Sequence, residues 1–166
     1  MKLDTIESIA KIIGVAIACF GVYKYYDSLT QKKIDRSFSY FDEFHSGEVF
    51  DARIKVGELT YSWMQTENND GTELDSDDLQ EMILFDLSSK PGVIYFDMIT
   101  EFFERAKKCI DLGGCEKESL VNLLSDDART FYGFFFPKIA ERQALGDKTS
   151  DGILCFATKF KGADCE

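Results

Sequence analysis

The sequence predicts an all-α protein in which an N-terminal transmembrane helix continues into a small cytoplasmic helical bundle. Three observations predict it. The run Ile12–Tyr23 carries no charge, apolar residues recur at helical spacing through most of the remainder, and no alternating strand pattern of useful length occurs. The 166 residues suit an anchor and one domain. Fifteen Phe and seven Tyr supply enough apolar surface to exclude a disordered chain. A net charge of -11 excludes a nucleic-acid partner, because a phosphate backbone is repelled.

The uncharged run alone is short for a bilayer, which needs about 20 mostly apolar residues. Extended back to Ile6 it becomes IESIAKIIGVAIACFGVY, with one Glu and one Lys. Lys11 can snorkel to the near surface, and Glu7, one turn earlier, can pair with it. Tyr23, Tyr25 and Tyr26, with Lys24 among them, form an interface belt at the far side. Residues 1–27 are therefore the anchor, with its span at about 6–23. Residues 28–166 form the acidic domain. Two alternatives remain: a buried core helix, and a processed leader. Ala16-Ile17-Ala18-Cys19 resembles a lipobox, although Asp4 and Glu7 spoil the basic start that a leader wants.

Lys2 and Lys11 precede the span, while Lys24, Lys32, Lys33 and Arg36 follow it. The positive-inside rule then puts the N-terminus outside and the C-terminal domain in the cytoplasm. Gly14, Ala18 and Gly21 share one helix face. Small residues at that spacing let two helices approach closely in lipid, so this is a candidate association face.

Beyond the span, Ile34, Phe38, Phe41 and Phe44 continue the first helix, and Ser46-Gly47 breaks it. A second helix runs from about Glu48 to Gln65, with Val49, Ala52, Val56, Leu59 and Trp63 as its buried stripe. Residues 67–78 form a flexible acidic loop. Eight acids and no Lys or Arg lie between Glu67 and Asp86, which makes Glu67, Asp70, Glu73, Asp75, Asp77 and Asp78 a candidate partner surface. A calcium loop fits poorly: with Gly71 at its sixth position, Thr66, Glu73 and Asp77 are wrong at the first, eighth and last. A third helix at Asp77–Leu87 would use Leu79, Met82, Ile83 and Phe85. Val93–Leu112 follows, striped by Ile94, Met98, Ile99, Phe102, Ala106, Cys109 and Ile110 and closed by Gly113-Gly114. Glu116–Leu124 reads as a short helix, Asp126–Ala144 as a longer one kinked by Pro137, and Asp151–Phe160 as the last element. Trp63, Phe102, Phe131 and Phe135 should bury together, with the helices at Glu48–Gln65, Val93–Leu112 and Asp126–Ala144 as an antiparallel bundle.

The five cysteines are an odd set with no CxxC spacing. Cys109 and Cys115, six apart across Gly113-Gly114, are either a redox pair or half a metal site, or thiols in a reducing compartment, the last being the expectation. His45 is the single histidine, with Asp42 and Glu48 each three residues away. The Ser46-Gly47 break scrambles helical phase between them, which favours a turn histidine over a metal ligand. No nucleophile elbow, P-loop or dinucleotide fingerprint occurs. The expectation is no enzyme, no cofactor and no metal.

The stretch Gln31–Trp63, QKKIDRSFSYFDEFHSGEVFDARIKVGELTYSW, and a second block from Ile99 to Arg142 resemble a family of uncharacterised bacterial proteins. The similar features are Phe102-Phe103-Glu104, the Gly-Gly-Cys turn, and the Asp-Ala, aromatic and Pro-x-Ile run at Asp127–Ile139. Such proteins have one N-terminal membrane segment and a helical domain of unknown function. The resemblance implies an accessory membrane protein of bacterial defence or stress response, and with the predicted span it implies the bacterial inner membrane. The expected function is thus a single-pass anchored helical protein acting through protein partners or self-association, with the lipid bilayer as its other partner. The alternatives are a small effector that perturbs the bilayer when triggered, and a lipoprotein-like periplasmic protein.

Overall fold

The computed structural model describes the backbone of residues 3–68, 81, 85, 87–88 and 91–158, and the side chains of those from Lys11 on except 60 and 62–68. Every regular element among them is a helix: α1 Leu3–Phe44, α2 Gly47–Asn68, α3 Gly92–Asp111, α4 Lys117–Ala144 and α5 Asp151–Ala157. Glu81, Phe85, Leu87 and Ser88 are also helical.

The expected continuation of the first helix is present. α1 is one helix of 42 residues, about 63 Å long at 1.5 Å per residue. Its domain end does not bury the stripe that the apolar residues mark. Phe38 is exposed, Ile34 and Phe41 are half-buried, and the fully buried positions are Ser37 and Phe44. Ser37 can be buried because the Lys33 carbonyl at 3.0 Å and the Glu116 carbonyl at 3.2 Å both stand ready to accept its single hydroxyl proton, and its oxygen accepts from Glu116 N at 3.1 Å. The helix ends where expected: Ser46 Oγ donates to Asp42 O at 2.5 Å, and Gly47 at φ 67° turns the chain into α2.

The elements neighbour one another in a closed order around the core. α1 lies on α2, α2 on α3, α3 on α5, α5 on α4, and α4 on α1. Of the three helices expected to bundle, α2 lies on α3, α3 meets α4 through Phe96 on Phe131 and Phe135, and a cleft lies between α2 and α4. α3 carries the centre. Phe96, Ile99, Phe102, Phe103 and Ala106 are all fully buried, whereas Ile94 of the expected stripe is exposed. With α2 on one side and α5 on another, α3 buries a wider arc than a single stripe, so adjacent residues 102 and 103 both go inside.

The aromatic rings link these helices. Phe44 of α1 stacks on Phe102 at 5.0 Å and meets Phe103 edge-on at 5.2 Å. Phe103 meets Phe156 of α5, and Phe96 meets Phe131 and Phe135 of α4. Such pairs are favourable beyond the area they bury. Phe102, Phe131 and Phe135 are thus in the core as expected, but in two ring groups rather than one. The Trp63 side chain lies outside the described residues.

α4 joins what the sequence divides. Asp126 and Asp127 read as a helix start, yet they are interior, and the cap is ten residues earlier. Glu116 accepts from Glu118 N at 3.2 Å and Ser119 N at 2.5 Å. The Ser119 amide holds the Glu116 carboxyl below the usual carboxylate range. The expected disturbance by Pro137 is present: Phe135 departs from helical geometry at φ -109° and ψ 15°, next to the hydrogen bond that proline cannot donate. Gly146, at φ 80°, ends the helix. α5 then docks closely on α3. A Cβ at Gly152 would lie 2.6 Å from backbone atoms of Phe103 and Glu104, so only glycine fits, and its N–H donates to Glu104 Oε2 at 3.0 Å.

Candidate functional site

Three regions carry the candidate residues, and the anchor is the largest. Among the described residues, one helix is long and apolar enough to cross a membrane, the segment of α1 that begins at Lys11. Ile12, Ile13, Val15, Ile17, Phe20 and Val22 are exposed all round it. No described domain residue covers them, and water is a poor solvent for such a surface. Lys11, Tyr23, Lys24, Tyr25 and Tyr26 are exposed on the same helix, bracketing the apolar stretch. Lys24 Nζ reaches back to 6.0 Å from the Phe20 ring, and Tyr25 and Tyr26 meet edge-on at 5.9 Å. The Glu7 side chain, the expected partner of Lys11, lies outside the described residues.

Gly14, Ala18 and Gly21 stand on this bare surface, and a Cβ placed on Gly14 or Gly21 would meet nothing within 4 Å. From Lys24 to Lys32 the helix runs on with only Leu29 half-buried. The domain begins to hold it at Lys33, whose carbonyl accepts from Glu116 N. Six residues, 27–32, lie between Tyr26 and Lys33, roughly 10 Å of helix between the last of these tyrosines and the domain.

The second region is a cleft of about 510 Å³ between α2 and α4, floored by Phe44. Val56, Tyr61, Phe131, Phe134 and Phe135 make it apolar, and Arg53, Asp126, Asp127 and Thr130 lie at its rim. Its charges satisfy one another. Arg53 stacks over the Phe44 ring at 4.0 Å, donates to Phe44 O at 3.1 Å and pairs with Asp127 at 2.9 Å. Asp126 pairs with Arg129 at 3.1 Å. His45 packs on Phe41 at 4.2 Å, with Nδ1 3.0 Å from Phe41 O and Nε2 3.4 Å from Asp127. Its partner is thus a carboxylate 82 positions away, not the neighbouring Asp42 or Glu48. Among the described residues no group of three or more His, Cys, Asp or Glu side chains could hold a metal ion.

The third region is the acidic segment. Asp70, Glu73, Asp75, Asp77 and Asp78 lie outside the described residues, as does the side chain of Glu67, whose backbone closes α2. Of the third expected helix, Leu87 is buried but Phe85 is exposed, so Phe85 does not serve as a core residue.

The cysteines differ from the expected set of thiols. Cys109 and Cys115 form a disulfide. Cys155, fully buried, is also disulfide-bonded, to a partner outside the described residues. Cys19, exposed in the span, is free. The Cys109–Cys115 bond closes the α3–α4 turn, where Gly113 has φ 67° and Cys115 N donates to Cys109 O at 3.1 Å. Comparison with protein-family models, curated proteins and solved structures finds no match.

Proposed function

We propose that the chain is a non-enzymatic, single-pass membrane protein whose helical domain acts through protein partners or through its own copies. One observation carries this reading: a single unbroken helix begins as a bare apolar rod and ends with Phe44 in the core of the domain. A soluble domain gains nothing from such a rod, and a bilayer accommodates it. The self-paired charges of the cleft support a structural part for His45, Arg53 and Asp127 rather than a catalytic one. The resemblance to bacterial proteins of one membrane segment and one helical domain agrees with an accessory part in defence or stress response. The bare Gly14, Ala18 and Gly21 face supports self-association over a monomeric anchor. On orientation, basic residues after the span favour a cytoplasmic domain, and the disulfides oppose it.

The test is chemical cross-linking of the full chain in native membranes, with a Gly14→Ile, Ala18→Ile variant alongside. The expected outcome is cross-linked homo-oligomers or a defined heteromeric product, the homo-oligomers being lost in the variant. Wild-type chains recovered only as uncross-linked monomers would sink the partner reading. Homo-oligomers unchanged in the variant would remove Gly14 and Ala18 from the interface.

A further inference from the structure

We infer that the helical domain lies on the oxidising face of the membrane, opposite to the side that the count of flanking basic residues indicates. The inference rests on the reading of α1 as an anchor, and two separate parts of the domain carry it. At one, Cys109 and Cys115 are bonded across the α3–α4 turn. At the other, on α5, Cys155 is bonded within the core. The cysteine left free, Cys19, is the one in the apolar span. Three of the four described cysteines are therefore in bonds, all three in the domain, a pattern that a reducing cytosol does not sustain.

The first bond is built into its surroundings. A Cβ on Gly114 would lie 3.3 Å from Cys109 Sγ and 3.1 Å from Arg36 Nη1, so the absent side chain makes room for sulfur and guanidinium together. Cys115 is buried, and the next residue, Glu116, donates its N–H to Ser37 Oγ at 3.1 Å and caps α4. The bond thus clasps the turn that fastens the domain to the anchor helix.

The opposing count is four basic residues after the span, Lys24, Lys32, Lys33 and Arg36, against two before it, Lys2 and Lys11. That count biases orientation at insertion, whereas the bonds report the side on which the folded domain resides.

Each bond forms by exchange with a thiol oxidase that carries a disulfide. One cysteine thiolate attacks that disulfide and releases one oxidase thiolate. The second cysteine thiolate then attacks the mixed disulfide, so the protein pair loses two electrons and two protons and the oxidase is left as a dithiol.

The experiment expresses the full chain in a bacterial host, traps thiols with acid at lysis and isolates membranes. Denatured protein is then labelled with maleimide-polyethylene glycol before and after reduction. Reduction should expose four further thiols per chain, and protease added to spheroplasts should remove the domain. A membrane-bound chain that gains none or two, or whose domain is protected, overturns the sidedness alone. A chain recovered outside the membrane fraction overturns the anchor reading, and the sidedness with it.

Discussion

The two ends of α1 have similar residues and opposite surroundings. Phe20 and Phe44 are aromatic residues on one helix, yet Phe20 is 63% exposed and Phe44 1%. Gly14 has open space around it, while Gly152 in the domain is pressed against the backbone of α3. One helix thus has two kinds of surroundings. At the domain end, protein rings cover the helix. At the other end no described residue covers it, and on the proposed anchor reading lipid or another helix does. A substitution should therefore have consequences for folding at one end and for membrane behaviour at the other.

The largest contrast is between the two phenylalanines. Phe44→Ala removes the ring that Phe102, Phe103 and Arg53 pack on, and should cost about 3–5 kcal/mol. Phe20→Ala should leave the melting temperature of the detergent-solubilised chain unchanged. Equal shifts for the two variants would erase the distinction. Next comes the clasp. Cys109→Ser with Cys115→Ser opens a short loop and should lower stability by about 2 kcal/mol, read as an earlier denaturant midpoint.

Gly152→Ala should cost about 1–3 kcal/mol, because the atoms 2.6 Å away are backbone and cannot swing aside. Gly14→Ala should be silent in the same thermal melt. The smallest effect concerns the cap. Glu116→Ala should cost about 0.5–2 kcal/mol at neutral pH. The folded Glu116 carboxyl is held low by the Ser119 amide, so its contribution is full above the unfolded value of about 4.3 and is lost as pH falls through the folded value. The gap between wild type and variant melts should therefore start to shrink as pH falls below about 4.3 and close once pH is below the folded value. A gap that stays constant into acid would separate the cap from that carboxylate.

Much of this arrangement was legible in the sequence where signals are local. The all-α class, the continuation of α1 past Tyr26 to Phe44, the breaks at Gly47 and Gly113, and the disturbance near Pro137 follow from hydropathy, turn chemistry and one missing donor. What needed the fold depends on distant partners. Ser37 looks like a surface residue until the Glu116 carbonyl arrives beside it. Asp126 and Asp127 look like a helix start, but Asp127 is an internal carboxylate paired with Arg53 and His45, 74 and 82 positions away. Cys109 and Cys115 have a permissive spacing that leaves pairing open, and an odd cysteine count pointed away from it. The apolar stretch of α1 could be located because an uncharged run is a property of the sequence itself. The cleft, a product of which helices pack, could not.

Alkaline extraction of membranes carrying the full chain tests the central claim most directly, with a Val15→Asp, Ile17→Asp variant beside it. A charge at the middle of a span costs about 2.5–3.5 kcal/mol, and neither side chain packs against the domain. The wild type should stay in the pellet until detergent releases it. The variant should enter the supernatant with the domain's melting temperature intact. Wild-type chain released by alkali without detergent would contradict the account, because α1 would then be covered by something other than a bilayer.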